Sequence, residues 1–219
     1  MVCDTIIQIS LQLTNIDSCV FVAFWDESII IVRVHVDDFI MVETPTSISR
    51  FRNRMAQHFY IKILGQAKFI LGIQLKFSLS FIFICQKTYL FELIKTVIEE
   101  SPLHIKVTYQ NFSPLSNSII SNSINAVFAT ELESESLRRE DSLFFRHIIG
   151  KLMYAMVTTH PDIAFAVNFL GRFMAKPYQT HLTTMLCLLR YISGTVSLRI
   201  SYPRGSDSSF LFGVYSDSN

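Results

Sequence analysis

The chain contains 219 residues, of which 50% are hydrophobic and 17% charged, and its net charge is +1. This composition excludes a disordered protein, because disordered chains combine low hydrophobicity with high net charge. The length fits one large domain or two small ones. The longest apolar runs, such as Cys19–Trp25 and Phe81–Cys85, are far shorter than the roughly 20 residues that span a bilayer, so no membrane partner is predicted.

The first residues carry no basic flank ahead of a hydrophobic stretch, which argues against a secretory signal. The cysteines, at positions 3, 19, 85 and 187, form no Cys-x-x-Cys pair. We therefore expect an intracellular, non-secreted protein whose cysteines are reduced and lie in the core. The sequence points to no particular compartment.

The N-terminal part predicts strands separated by short turns. Residues Met1–Asp17 fit either a strand or a helix, since their apolar residues alternate only in part. Two strands rich in β-branched and aromatic residues follow, Cys19–Trp25 and a second one that ends at His35. The adjacent acids Asp37 and Asp38 come next, at a turn into a third apolar run.

This acidic pair has two possible explanations. An ordinary turn is one, because Asp tolerates left-handed backbone and caps turns with its own side chain. A divalent-cation site is the other, because Mg²⁺ takes oxygen ligands and often binds through one or two carboxylates together with substrate phosphates. The pair by itself leaves both explanations open.

The middle of the chain predicts a mixture of helices and strands. A helix is expected from Pro45 to about Phe59, followed by a short strand at Ile61–Leu64. The runs Phe69–Phe77 and Leu79–Cys85 predict a β-hairpin, and Thr88–Glu100 predicts an amphipathic helix that ends before Pro102.

Residues 103–141 are expected to form a linker, because they are rich in Asn and Ser at first, then charged, and lack periodicity. Helical spacing of apolar residues returns after the linker, and two apolar β-type runs close the chain. The predicted elements are helices at Phe145–Met156, Ile163–Met174 and Pro177–Ile192, then strands at Val196–Tyr202 and Phe210–Tyr215.

Charge is distributed unevenly along the chain. Residues Arg50–Lys106 hold nine Lys or Arg against three Glu, a local charge of +6, whereas Val107–Ser142 has a local charge of −3. The basic block fits either contact with a phosphate backbone or a solvated helix face. The candidate nucleic-acid contacts are Arg50, Arg52, Arg54, Lys62 and Lys68.

Several short segments together resemble one family. His35-Val36-Asp37-Asp38 looks like the Tyr-Val-Asp-Asp box of reverse transcriptases. Leu64-Gly65, followed by Phe69–Ile73, resembles the Leu-Gly and Phe-Leu-Gly-Ile segments downstream of that box in copia-type retrotransposon polyproteins. Gln86 and Tyr89 fit the Gln-x-x-Tyr element that comes next in the family.

The resemblance continues, in the family's order, through most of the chain. Phe145–Tyr154 is similar to the family's segment that opens on Tyr-Arg and closes on Leu-Met-Tyr, and Thr159–Val167 is similar to Thr-Arg-Pro-Asp-Ile-Ala-Tyr-Ala-Val. Arg172–Thr195 matches a segment that begins Arg-Phe-Met and ends Gly-Thr. Tyr215–Asp217 looks like the opening of the family's ribonuclease H domain.

This resemblance implies an α+β fold. It would contain a partial polymerase palm whose β-hairpin carries the acidic pair, a β-hairpin and helical thumb or connection, a helical cluster and two C-terminal strands. The implied segments are a palm and thumb remnant at 1–102, the linker at 103–141, a helical connection at 142–195, and the start of a truncated ribonuclease H-like domain at 196–219.

The resemblance also implies RNA-directed DNA polymerisation on a template–primer with Mg²⁺ held by Asp37 and Asp38, because phosphoryl transfer uses two metals that stabilise the attacking and leaving oxygens. The family supplies a third Asp that no residue of this sequence matches. Asp217 would be the first ribonuclease H carboxylate. His35 replaces the family's Tyr beside the acidic pair and adds a titratable group there.

We therefore expect a reverse transcriptase piece that is inactive by itself, because the fingers and the first metal-binding Asp are not recognisable. Two alternatives remain open. One is a residual nucleic-acid-binding module, and the other is a transposon relic with no selected function, which would associate with itself through exposed sheet edges.

Overall fold

The computed structural model describes residues 2–25, 28–36, 38–42, 45–100, 113–114 and 137–204. The chain forms two compact units, Met1–Ala67 and Lys68–Asn219. The described residues form two four-stranded antiparallel sheets and six α-helices, so the coarse α+β prediction is confirmed. The segment boundaries derived from the sequence stay predictions, and almost all of the 103–141 linker lies outside the described residues.

The first unit is a single sheet with two helices. Its elements are α1 (Val2–Gln8), β1 (Gln12–Leu13), β2 (Val20–Trp25), β3 (Ser28–His35), β4 (Asp38–Val42) and α2 (Pro45–Met55). The strands pair in sequence order, β1-β2-β3-β4. The ambiguous N-terminal stretch is therefore a short helix followed by a two-residue strand.

One face of this sheet forms the core of the first unit. Strict alternation along β2 and β3 places Phe21 opposite Val32 and buries both. Phe51 and Met55, one helical turn apart on α2, are also buried in this core, together with Ile6 of α1.

The opposite face of the sheet carries apolar side chains that remain exposed, among them Ile31 and Phe24, which is 74% exposed. The predicted strand at Ile61–Leu64 was wrong, because these residues have no regular structure and Ile63 and Leu64 are exposed. A β-branched run forms a strand only where a neighbouring strand and a packed face support it.

The second unit begins with a β-meander. Its elements are β5 (Phe69–Ile70), β6 (Ile73–Phe77), β7 (Phe81–Cys85), α3 (Lys87–Glu100), α4 (Arg139–Thr158), a 3₁₀ turn (Pro161–Ile163), α5 (Ala164–Gly171), α6 (Gln179–Thr195) and β8 (Ile200–Pro203). Strand β8 pairs with β7, so the sheet order is β5-β6-β7-β8.

The predicted hairpin in this region is confirmed, with one more turn than expected. Leu71 and Gly72 both have positive φ, 49° and 77°, and they fold the first predicted strand into β5 and β6. Two residues with positive φ make the hairpin turn that matches the twist of the flanking strands. The predicted strand at Phe210–Tyr215 lies outside the described residues.

The core of the second unit is helical. Leu90, Leu93 and Val97 of α3 are buried with apolar residues of α4, α5 and α6, and the spacing of these residues had predicted the helices. The side chains of the second sheet do not belong to the buried core cluster among the described residues. The strand residues of this sheet are at most partly buried.

Candidate active-site hairpin and the motif residues

The hairpin of β3 and β4 ends in a two-residue turn. The register pairs His35 with Asp38, and Val36 lies in the turn between the two strands. His35 and Asp38 are both exposed and lie on the open face of the sheet, because their neighbours Val34 and Phe39 pack against the core. Asp37 lies outside the described residues.

Val36 adopts a conformation that its residue type disfavours. Its φ is +53° and its side chain is 77% exposed. Left-handed backbone costs an L-residue roughly 1–2 kcal/mol, and a β-branched side chain is a marked outlier there. Because tight two-residue hairpins need positive φ, the strain at Val36 is the cost of closing the turn directly beside the acidic pair.

The side chains on this hairpin include donor atoms of the type that binds divalent cations. Asp38 offers carboxylate oxygens, the ligands that Mg²⁺ prefers, and His35 is its cross-strand neighbour, at a typical Cβ separation of about 5 Å. Within the part of the chain that the structure describes, however, no three or more His, Cys, Asp or Glu side chains form a metal-binding group. The described donors of this hairpin are therefore fewer than the three that such a group requires.

Two of the candidate nucleic-acid contacts on α2 are engaged in packing. The guanidinium carbons of Arg50 and Arg54 lie 5.0 and 5.3 Å from the centroid of the Trp25 ring. Arg54 Nη1 also donates a hydrogen bond of 2.8 Å to the carbonyl of Ile9. These contacts hold α2 against β2 and the end of α1, a role that the sequence did not reveal.

Within the described part of the chain, the side chains of the other three candidate contacts make no such ring contact or hydrogen bond. Arg52 is partly exposed, and Lys62 and Lys68 are exposed. Lys62 belongs to the first unit and Lys68 begins the second. All five basic residues stay predictions as nucleic-acid contacts, and Asp217, the candidate ribonuclease H carboxylate, lies outside the described residues.

Motif residues of the second unit contact one another. The rings of Tyr89 and Tyr154 meet edge to face with centroids 5.3 Å apart. Tyr89 donates a 3.0 Å hydrogen bond to the carbonyl of Lys151, and Tyr154 donates one to the carbonyl of Leu71. Burial raises the pKa of Tyr89 above its ordinary value, with a smaller contribution from Tyr154. A Cβ at Gly72 would lie 3.6 Å from Tyr89.

A second group of motif residues forms a buried polar chain. Thr159 Oγ1 lies 2.8 Å from Gln86 Oε1 and 2.9 Å from His160 Nδ1, and His160 Nε2 lies 3.4 Å from the carbonyl of Thr195. Gln86 and His160 are fully buried, and Gln86 Nε2 has no partner among the described residues.

One assignment of hydrogens gives each contact of this chain one donor and one acceptor, and leaves the second polar atom of the Gln86 amide without a partner among the described residues. If the Gln86 amide is turned so that its nitrogen donates to Thr159, Thr159 donates to His160 Nδ1, and His160 donates from Nε2 to the Thr195 carbonyl. The three side chains then join the start of α3, the end of α4 and the end of α6. Their role in the described geometry is therefore architectural.

Two further motif residues hold helix ends in place. Arg146 of α4 donates to the carbonyls of Met174 and Ala175, at 2.6 and 3.1 Å. Tyr191 of α6 donates a 2.8 Å hydrogen bond to Asp162 Oδ2. Burial, assisted by the bond to Asp162, raises the pKa of Tyr191 to about 12. These contacts join residues that are far apart in sequence, so periodicity could not have indicated them.

Two broader expectations concern the cysteines and the membrane. Cys3 and Cys19 are exposed, so the prediction that the cysteines lie in the core was wrong for these two. Cys3 lies on α1 and Cys19 directly before β2, and neither side chain belongs to the buried core of the first unit. Of the helices in the described residues, none is long and apolar enough to cross a membrane.

Known proteins are similar in sequence to this chain. Residues 1–104 match the model of the reverse transcriptase (RNA-dependent DNA polymerase) family. The retrovirus-related Pol polyprotein from transposon RE1 of Arabidopsis thaliana is 28% identical over 204 residues, which are 93% of this chain and 13% of the polyprotein. That from transposon TNT 1-94 of Nicotiana tabacum is 28% identical over 186 residues, 83% of this chain and 13% of the polyprotein.

A shorter relative is the putative transposon Ty5-1 protein of Saccharomyces cerevisiae, 27% identical over 192 residues, which are 87% of this chain and 56% of that protein. No solved structure matches the chain significantly. The chain thus spans only a small part of the polyproteins it resembles, although the matches cover most of its own length. Residues 1–104 are therefore similar to the reverse transcriptase family, and most of the chain is similar to the Pol polyproteins of transposons.

Proposed function

We propose that the β3–β4 hairpin supplies the Asp37 and Asp38 carboxylates of an RNA-directed DNA polymerase site. The observation that supports this most directly is the placement of Asp38, exposed at the end of a tight hairpin, in a segment that matches the family. Polymerase chemistry needs such exposure, because the carboxylates must reach a metal, a primer end and a nucleotide at the same place.

In this proposal Asp37 and Asp38 hold Mg²⁺, and the bound metal would stabilise charge on the attacking and leaving oxygens. His35 lies beside Asp38 and can contact a primer or nucleotide from the same face of the sheet. The first sheet with α1 and α2 would be palm, and the hairpin and helices of the second unit would be thumb and connection. Residues 196–219 would begin a ribonuclease H-like segment through Asp217.

Metal binding at the hairpin is tested with Mn²⁺, which can replace Mg²⁺ at oxygen ligands and broadens nearby NMR signals. We expect Mn²⁺ to broaden the His35 imidazole signals, and Asp38→Asn to reduce this broadening strongly. Glu92→Gln, which removes an exposed carboxylate of α3, is the matched control and should change nothing. Equal broadening in Asp38→Asn and the unaltered chain would refute the site.

Catalysis is tested by primer extension on an RNA template with Mg²⁺ or Mn²⁺. We expect no extension by the 219-residue chain alone, because the family's third carboxylate has no recognisable match in this sequence and two carboxylates complete only part of a two-metal site. Extension that disappears in Asp38→Asn would overturn the expected inactivity while supporting the hairpin as the metal site.

A second candidate function is nucleic-acid binding without catalysis, with a template–primer as partner. It is supported by exposed basic residues that take no part in packing, such as Lys62 and Lys68. A filter-binding titration should show affinity that falls linearly with salt on logarithmic axes, because binding releases counterions from the phosphates. Binding that is absent at low salt, or insensitive to salt, would exclude this function.

Self-association is a third possibility, and the open face of the first sheet supports it. Phe24 and Val42 lie on that face and are well exposed, and large exposed apolar patches favour association. Sedimentation velocity should show oligomers that Phe24→Lys disperses, whereas Phe165→Lys, on an exposed position of α5, should leave them intact. A monomer at all concentrations would exclude self-association.

A further inference from the structure

The second sheet and its flanks are basic and contain no acidic residue in the described segments 68–91 and 196–204. These two segments are far apart in sequence and are brought together by the pairing of β7 with β8. Five cations lie on this sheet or next to it in sequence: Lys76 in β6, Lys68 before β5, Arg199 and Arg204 on either side of β8, and Lys87 at the start of α3. An uncompensated cluster of this kind attracts polyanions.

Planar groups form a row on one face of the sheet. The rings of Phe81 and Phe83 stack with centroids 5.8 Å apart at 29°. The guanidinium of Arg199 lies 4.1 Å from the centroid of the Phe83 ring and extends the row. Lys76 pairs with Phe83 across β6 and β7, so a cation stands beside the aromatic rings.

This row is open to other molecules. Phe81 is 41% exposed, and Lys76 and Arg199 are exposed. The row also lies outside the buried helical core of the second unit as described. A surface that combines stacked rings with flanking cations suits the base faces and phosphates of an unpaired strand, whereas a duplex hides its base faces.

We propose that the row of Phe81, Phe83 and Arg199, with Lys76 beside it, is a docking surface for single-stranded nucleic acid. The bases stack on the Phe81 ring and on the Arg199 guanidinium, and the cations contact the phosphates, so binding is independent of sequence. This inference rests on the proposed nucleic-acid-binding function. It locates the bound strand on the second sheet.

The test measures fluorescence anisotropy of a short fluorescein-labelled oligo(dT) with the full chain at low salt. Replacement of both rings, Phe81→Ala with Phe83→Ala, should weaken binding at least about tenfold. Phe81→Tyr with Phe83→Tyr should restore most of the affinity, because the rings remain. Phe165→Ala, which removes an exposed ring of α5, should have no effect.

A charge variant tests the cations separately. Lys76→Gln should reduce the slope of log affinity against log salt by about 0.7, the value for one phosphate contact on a single strand. Arg172→Gln, an exposed arginine after α5, should leave the slope unchanged. Duplex DNA of the same length should compete less well than the single strand.

The outcomes separate this inference from the function on which it rests. If the unaltered chain fails to bind oligo(dT) at low salt, both are refuted. If it binds and the double alanine variant binds equally well, the docking surface is refuted while nucleic-acid binding stands. The imidazole signals of His181, inside the helical core, report whether each variant is folded, and the tyrosine pair keeps the test valid if the alanine pair unfolds.

Discussion

Acid should destabilise the second unit through His181, near the start of α6. Its side chain is 4% exposed and stacks on Phe173 with ring centroids 4.0 Å apart. Nδ1 accepts a 3.0 Å hydrogen bond from the backbone N–H of Tyr178, so the proton of the neutral ring is on Nε2. Nε2 has no partner among the described residues. Burial lowers the pKa of His181 from 6.5 to about 4.

The sign of the effect follows from proton uptake. Between pH 6.5 and about pH 4 the unfolded chain binds a proton at this histidine and the folded chain does not. The free energy of unfolding therefore rises with pH across this window. The contribution of His181 to it is fully present above pH 6.5 and is lost as the pH falls to about 4. The difference between the two pKa values corresponds to about 3–4 kcal/mol, of which about 2–3 kcal/mol is lost between about pH 7 and pH 4.

His181→Gln isolates this contribution. Glutamine at the third helical position still accepts a hydrogen bond from the backbone N–H that precedes the helix, but it does not titrate. Urea unfolding at pH 7 and near pH 4 should show that the unaltered chain loses about 2–3 kcal/mol more than the variant. His147→Gln, on an exposed position of α4, is the control and should keep the full loss.

An NMR measurement tests directly whether burial keeps the His181 ring neutral. An NMR titration of the His181 imidazole should give a midpoint well below that of an exposed histidine. A midpoint near 6.5, or parallel pH dependence of unfolding in His181→Gln and the unaltered chain, would show that burial does not hold the ring neutral.

Three further substitutions test the roles assigned to individual contacts. Val36→Gly should stabilise the first unit by about 0.5–1 kcal/mol, because glycine removes the left-handed strain at some entropic cost, as measured by urea unfolding followed through Trp25, the single tryptophan. Arg54→Ala should destabilise the same transition by about 1–2 kcal/mol, through loss of the hydrogen bond and the stacking on Trp25; an unchanged midpoint would refute that role. Thr159→Val should lower the free energy of unfolding of the second unit by about 1–3 kcal/mol, because it leaves buried polar partners unpaired. The control Thr183→Val, on the exposed side of α6, should change it by no more than about 0.5 kcal/mol. Hydrogen exchange of the helical core measures both values.

The periodic parts of this chain could be predicted from the sequence. The helix at Lys87–Glu100 and the part of the helix Arg139–Thr158 from Phe145 to Met156 were predicted from apolar residues at helical spacing, whereas its first turn was not. The alternating strands of the first sheet are equally legible. Prediction failed at Ile61–Leu64, where a β-branched run lacks a partner strand, since strand formation depends on pairing that a local pattern does not contain.

At the candidate site, too, the local sequence pattern was predictive and the contacts between distant residues were missed. The acidic pair and its turn were found from the sequence, because adjacent carboxylates between two apolar runs are conspicuous. The engagement of Arg50 and Arg54 with Trp25 was missed, since the contact joins a helix to a strand some 25 residues earlier. A local charge count treats every arginine as available to a ligand. Only the packing shows that Arg50 and Arg54 already contact the Trp25 ring.

The motifs that resemble those of the family therefore lie in two different environments, one buried and one exposed. In the second unit their polar residues turn inward and join helices and turns, as Gln86, Thr159 and His160 do in the buried chain. At the β3–β4 hairpin the motif residues His35 and Asp38 face outward, and Val36 bears strain that closes the turn. Substitutions in the inward motifs should change stability before any activity. Substitutions at His35 or Asp38 should leave stability nearly unchanged and alter metal binding, so the two effects can be separated by experiment.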